Sequence, residues 1–349
     1  MNIKTDTAKP TEADRIEALE ATVRVYEKTN RKLQAIVDGA EEFTKAVAGA
    51  VVPFEPFKAP RKTRSAKKKP ITPCLVLSDW HIGEVIDLEQ TGGVNAYNWD
   101  IAQQRMTVIL DGFLKQARMM RGSYAMDECC AFTVGDLVTG TIHQELAETN
   151  EFPVPVAVAK AGYLLSEVYR RLAGDFAVVR GLQAGAGNHD RLTQKPRAKG
   201  KTEDAFSYLV HAMAEQAVSR LSNVRIESPN QIAPAFHVAG HRVIATHGNE
   251  IKSVMGIPYY GIARYLARHA AKEQAMIRKG ILKQATSLYI FGHYHHFNVL
   301  QDGLAIMNPS LVGPNEYDES AQRFAEAAQL SFLMSPTHGA FGHVPFRGE

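Results

Sequence analysis

Thiols are scarce in this chain of 349 residues, which has three cysteines: Cys74, Cys129 and Cys130. An odd number with two adjacent is a poor basis for a disulfide framework. All three fall in apolar, strand-like runs, so the sequence predicts reduced core thiols of a cytoplasmic protein. With no second cysteine pair, they also fail as a thiolate metal site. No apolar stretch reaches the ~18 residues of a membrane helix, and no basic-plus-apolar signal segment opens the chain; the expectation is that no membrane is involved. Tryptophan occurs twice, as Trp80 and Trp99. Trp99, at the start of a helical stretch, is expected to pack, whereas Trp80 lies inside a polar block and is a candidate to line a pocket.

What the chain does have is enough apolar material for a sizeable core, 45% hydrophobic against 22% charged, so it is not disordered as a whole. Its net charge of +3 is unevenly spread. Residues 58–70, KAPRKTRSAKKKP, hold seven basic residues and no acid. A cluster of that density suggests contact with a polyanion; the plainer reading is a solvated linker.

Residues 11–48 read as one helix. Thr11 and Asp14 form a capping-box pattern, and Ile16, Leu19, Val23, Tyr26, Asn30, Leu33, Val37, Ala40, Thr44 and Val47 recur at alternating steps of three and four. That is a heptad seam, with Asn30 at a position where a buried amide is best satisfied by its twin in a parallel two-stranded coil. A helix packed on the chain's own globular part stays open as the alternative. The expected organisation is an N-terminal helix over 1–50, a Pro/Lys/Arg-rich linker over 51–70 and a catalytic domain over 71–349. The linker follows from Pro53, Pro56, Pro60 and Pro70, which break both helix and sheet. Beyond it, apolar runs (74–78, 128–134, 177–184) alternate with helical stretches (98–121, 154–172, 202–221). A strand-rich second half then surrounds one more helix near 257–283. This is the pattern of an α/β sandwich.

Each apolar run ends in polar residues. These are Asp79 and His81, then Gly135-Asp136, then Gly187-Asn188-His189-Asp190, then His247-Gly248, and last Gly292-His293-Tyr294-His295. Side chains just beyond the carboxyl ends of strands in α/β sheets converge on one crevice. Aspartate, asparagine and histidine without thiolate suit Mn²⁺, with Fe or Zn²⁺ as alternatives. Asp79, His81, Asp136, Asn188, His247, His293 and His295 are more donors than one tetrahedral ion takes. The expectation is therefore two divalent ions about 3.5–4 Å apart.

The ordered series D-x-H, G-D, G-N-H-D, H and G-H-x-H resembles the calcineurin-like metallophosphoesterase superfamily over residues 74–312. The resemblance implies a four-layer α/β/β/α sandwich. It also implies a first metal on Asp79, His81 and His295, a second on Asn188, His247 and His293, and Asp136 between them. His189 and Asp190 are then the candidate catalytic residues, with His189 as general acid to in-line attack by a hydroxide held between the cations. The second block reads GDLVTGT, with Thr139 and Gly140 where phosphoprotein phosphatases of the superfamily carry an aspartate and an arginine. This argues against a protein phosphatase and leaves open what orients His189; His143 is the candidate substitute.

A basic loop follows the third block, with Arg191, Lys195 and Arg197, together with His143, as candidate substrate-binding residues. Arg264, Arg268, Lys272, Arg278, Lys279 and Lys283 add a possible basic face. The stretches 143–156 and 194–199 are similar to nuclease- or repair-type phosphoesterases encoded by bacteriophages, which implies the cytoplasm of a bacterial host. The reading is thus a two-metal phosphodiesterase acting on nucleic acid, expected to be DNA, and paired by its N-terminal coiled coil. The alternatives are a phosphomonoesterase or small-nucleotide phosphodiesterase with the same centre, and a nucleic-acid-binding assembly protein with a vestigial one.

Overall fold

The computed structural model describes residues 12–62, 68–193, 195–196, 202–253, 258–320 and 324–349. It divides into two units, Met1–Ala50 and Val51–Glu349. The first unit holds one helix of 39 residues, α1 (Glu12–Ala50), on which Ile16, Leu19, Val23 and Tyr26 are all exposed. Thr11 and the Asp14 side chain, the expected capping pair, lie outside the described residues.

The second unit alternates strand and helix in its first half: β1 (Lys69–Pro70), β2 (Thr72–Leu77), α2 (Trp99–Met120), β3 (Tyr124–Ala125), β4 (Glu128–Thr133), α3 (Gln144–Thr149), α4 (Val154–Asp175), β5 (Val178–Gln183), α5 (Phe206–Val218) and β6 (Val224–Glu227). Its second half runs β7 (Ala235–Val238), β8 (His241–Thr246), α6 (Pro258–Arg278), β9 (Leu288–Phe291), β10 (Asn298–Leu300), β11 (Ala305–Met307), α7 (Glu316–Ser320), β12 (Ala328–Ser335) and β13 (Gly339–Arg347). The proline-rich stretch does not hang free at its ends. The Phe54 amide donates to Ala217 O, and Lys69 and Pro70 pair with Tyr124 and Ala125.

Beside the short β1-β3 pair, two larger sheets form, in the orders β13-β12-β2-β4-β5-β6 and β10-β11-β9-β8-β7. The β2-β4-β5-β6 and β11-β9-β8 stretches are parallel, and the flanking strands are antiparallel. Strand side chains alternate between faces, and that alternation builds the layers. Leu75, Leu77, Cys129 and Ala131 join a core with α2, α4 and α5 residues such as Phe113, Leu165 and Val210. Their neighbours Cys74, Val76, Cys130 and Phe132 face the other way, onto Phe236, Val243, Leu288 and Ile290 of the second sheet. The far face of that sheet meets Ile262 and Leu266 of α6. The order is helix, sheet, sheet, helix, the α/β/β/α architecture expected. It also explains the cysteines: Cys129 and Cys130 point into different cores, and all three are buried and free. No helix among the described residues is long and apolar enough to cross a membrane.

Candidate metal centre

Parallel strands end at the same edge of their sheet, so the polar blocks after β2, β4, β5, β8 and β9 meet where the two sheets face each other. The loops join through their main chains before any side chain is considered. The Asp79 amide donates to Gly135 O at 3.1 Å, and the Trp80 amide to Asp136 O at 2.9 Å. Glycines permit this closeness. A Cβ on Gly187 would overlap Asp136 Oδ1, and one on Gly135 would meet His247 Nδ1 at 2.9 Å.

The backbone itself is strained at this edge. Asp79, His81, Asp136, His293 and His295 have φ between 48° and 69°, the left-handed region that non-glycine residues avoid. Five such residues among the candidate ligands is the concentration of strain found at functional sites, where surrounding structure over-determines the conformation.

Two groups of donors result: Asp79, His81 and His295, and Asp136, His247 and His293. Within each group the ligand atoms lie within 4.8 Å of one another. The groups adjoin: His247 Nε2 is 2.9 Å from Asp136 Oδ2 and 4.0 Å from Asp79 Oδ1, and Asn188 Oδ1 is 3.2 Å from the same nitrogen. All seven residues expected to bind metal are thus brought together.

The donors fit divalent cations. His247 donates from Nδ1 to Val134 O at 2.8 Å, which fixes the ring and turns Nε2 to the site, as the outer hydrogen bond of a ligating histidine does. His81 is buried, and neither of its ring nitrogens has a hydrogen-bond partner, a costly state that a bound cation would relieve.

The titration of these groups follows their surroundings. Burial, with His189 nearby, pulls the His81 imidazole well down, and burial beside His247 pulls His293 down to about 4. Burial opposes protonation of His247 too, but Asp136 and Asp79 outweigh it and push this imidazole up to about 9. Against the cost of burial, His247 and His189 hold the Asp136 carboxyl well below its ordinary range.

His189 lies beside this centre, its ring 4.7 Å from that of His81. Its amide donates to Asp136 Oδ1 at 2.8 Å, and its Nδ1 lies 2.9 Å from Thr139 O. His143, exposed and 5.9 Å away ring to ring, does not orient it; the Thr139 carbonyl does. Asp190 stands behind the site, fully buried, with Oδ2 accepting from the amides of Asp136 and Gly187 at 2.8 Å each. Burial and the Asp136 charge push its carboxyl up to about 6.

Arg191 donates from Nε to Thr193 O at 2.9 Å, Lys195 is exposed, and Arg197 lies outside the described residues. Trp80 does not line a pocket: it is fully buried, with Nε1 donating to Gln329 at 3.1 Å. Sequence reasoning missed Glu84, which is buried 3.7 Å from His81 Nδ1 and accepts from Asn315 at 3.0 Å. It follows the first block by three residues, the only signal it offered.

No family model matches this sequence, and no curated protein does. Among solved structures, the chain is similar to a predicted phosphoesterase from Streptococcus pneumoniae, at 11% identity and a TM-score of 0.30, over 79% of this chain and 98% of that one. It is similar to Vps29 complexed with zinc from Entamoeba histolytica at 12% identity and a TM-score of 0.28, over 79% and 99%. It is similar to a phosphopantetheinyl hydrolase from Mycobacterium tuberculosis at 12% identity and a TM-score of 0.29, over 73% and 94%.

Proposed function

We propose that this chain is a metal-dependent phosphoesterase that hydrolyses phosphodiester bonds of nucleic acid, DNA in the first instance. The observation that carries the reading is the pair of adjoining donor groups at the strand ends. Asp79, His81 and His295 would hold one cation, and Asn188, His247 and His293 the other, with Asp136 between them. Manganese suits this donor set, with iron and zinc as alternatives. Bound there, the cations would make water nucleophilic near neutral pH and offset charge on the phosphoryl oxygens.

The chain's own groups supply the rest. Val134 O sets the His247 ring, and the His189 amide steadies Asp136. With Nδ1–H committed to Thr139 O, the proton that His189 delivers to the leaving oxygen as general acid is the second one, carried on Nε2 by the imidazolium, and its transfer leaves the ring neutral. Asp190 is a positioning residue that holds the Asp136 and Gly187 amides in register.

The choice of nucleic acid is supported by surface charge. Arg264, Arg268 and Lys272 lie one turn apart on α6, all exposed, and none has an acidic ion-pair partner among the described residues. Lys58, Arg61, Lys62 and Lys69 are exposed as well. A small phosphomonoester needs no such surface, whereas a phosphate backbone is bound by it. The exposed apolar residues of α1 support pairing through a parallel coiled coil.

The test is a panel with Mn²⁺: single- and double-stranded DNA, RNA, bis-(p-nitrophenyl) phosphate and p-nitrophenyl phosphate. Cleavage of an oligonucleotide and of the diester, lost in Asp136→Ala, is the expected result. Turnover of the monoester alone would sink the nuclease reading.

A further inference from the structure

Asp79 is held from behind by side chains that no cation would touch. Its Oδ2 accepts from Ser78 Oγ at 2.5 Å, and the His293 amide lies 3.0 Å from its Oδ1 and 3.1 Å from its Oδ2. Ser78 Oγ in turn accepts from Asn308 Nδ2 at 2.8 Å. An amide nitrogen only donates and a hydroxyl carries one proton, so the Ser78 proton is aimed at Asp79. The orientation of Asn308 is itself fixed, because its Oδ1 accepts from the Leu330 amide at 2.8 Å.

Gln329 does the same for the main chain. Its Oε1 accepts from the Ser78 amide at 2.9 Å and from Trp80 Nε1 at 3.1 Å, and its Nε2 donates to Ser78 O at 3.2 Å and Pro309 O at 2.9 Å. Ser78, Asp79, Asn308 and Gln329 are all 0% exposed. Space near Oδ2 is closed: a Cβ on Gly292 would meet Asp79 Oδ2 at 2.7 Å and Ser78 Oγ at 2.9 Å. Oδ1 faces the other way, 3.3 Å from His295 Nε2 and 4.0 Å from His247 Nε2, one nitrogen from each donor group.

We infer that Ser78, backed by Asn308 and Gln329, is a positioning group that reserves Asp79 Oδ2 for the protein and leaves Oδ1 as the oxygen that binds metal. The inference rests on the proposed metal-binding function. A carboxylate with both oxygens free can swing or chelate a single ion; one with an oxygen committed to a buried hydroxyl presents a single ligand atom in a set direction. Groups that orient metal ligands in this way typically contribute 10–100-fold to metal affinity.

The test uses the full chain stripped of metal and titrated with Mn²⁺, bound ion being read by calorimetry and by loss of the free-ion paramagnetic resonance signal. Ser78→Ala is expected to bind about 10–100-fold more weakly, and Ser78→Thr, which keeps the hydroxyl, to recover most of the loss. Asn308→Leu is expected to match Ser78→Ala, and the double variant to be no weaker than Ser78→Ala alone, because both break one relay. Wild-type affinity in Ser78→Ala, or losses that multiply in the double variant, overturn the relay. If Asn308→Leu does not fold, the Ser78 pair decides alone. A wild-type protein that binds no Mn²⁺ overturns the metal reading itself, and the inference with it.

Discussion

His189 Nδ1 and the carbonyl oxygen of Thr139 lie 2.9 Å apart. A carbonyl fixes tautomer and ring direction as a carboxylate would, without adding charge to an edge that already holds Asp79, Asp136 and Glu84. With Nδ1 so committed, Nε2 is the working atom. His189→Ala is expected to lower kcat by about 10²–10⁴-fold on phosphodiesters with alcohol leaving groups. The loss is expected to be far smaller with p-nitrophenolate, which departs without a proton. Equal losses on both substrates would take the acid role from His189.

Metal uptake is expected to release a proton. Asp136 and Asp79 overcome burial and push His247 up to about 9. Its Nδ1 donates to Val134 O, so the proton that must leave is the one on Nε2. Proton and cation compete for that nitrogen, so Mn²⁺ affinity should rise with pH until about 9 and level off above it. Calorimetry in buffers of differing ionisation enthalpy measures the protons released; none at neutral pH would contradict the assignment.

The α6 stripe is predicted to act on binding and not on chemistry. Replacing Arg264, Arg268 and Lys272 together by alanine should weaken oligonucleotide binding and flatten its salt dependence by roughly two units of slope on single strands and three on duplex. Turnover of bis-(p-nitrophenyl) phosphate should stay unchanged. An unaltered salt slope would remove this face from the nucleic-acid interface.

Away from the site, half-buried Arg242 and buried Glu273 form an ion pair that ties α6 to its sheet, with Thr286 donating its amide to Glu273 at 2.9 Å. Glu273→Ala leaves the half-buried Arg242 without its partner and should cost about 1–3 kcal/mol of stability, read from urea midpoints. Against the cost of burial, Thr286 and Arg242 hold the Glu273 carboxyl below its ordinary value. Its contribution is therefore present above the ordinary glutamate range, about 4.3, and fades as pH falls through the lower folded value. The wild-type protein should lose part of its advantage over the variant in acid.

Gly187 and Gly174 should respond in opposite directions to alanine. A Cβ at Gly187 would overlap Asp136 Oδ1, whereas Gly174, exposed on α4, has nothing within 4 Å. Gly187→Ala should cost about 1–3 kcal/mol through overpacking and weaken Mn²⁺ binding. Gly174→Ala should gain about 0.5–1 kcal/mol from helix propensity. Thermal melts of the two variants check both signs.

Much of this architecture could be read along the chain. Hydrophobic periodicity located α2 to within a residue at each end and β6 exactly over Val224–Glu227. The alternation of strand and helix placed polar blocks at strand ends, where parallel geometry collects them. Boundaries slipped at two ends: α6 stops at Arg278 rather than near 283, closed by Gly280 in the left-handed region with its amide on Ile277 O and the Ile281 amide on Met276 O, and α5 begins at Phe206, where Arg191 bridges Ala205.

The residues alone specify the donor chemistry: aspartate, asparagine and histidine without thiolate, delivered by five separated blocks. How those donors are held is settled by long-range packing. The group that orients His189 is a main-chain carbonyl, and every residue has one, so no residue type could announce it. The side chains that fix Asp79 and its neighbours come from as far as 251 positions away, and a buried serine, asparagine and glutamine look no different in sequence from polar residues at a surface. The left-handed turns that aim Asp79, His81, Asp136, His293 and His295 are likewise imposed by packing against intrinsic backbone preference, which is why local sequence could not foretell them.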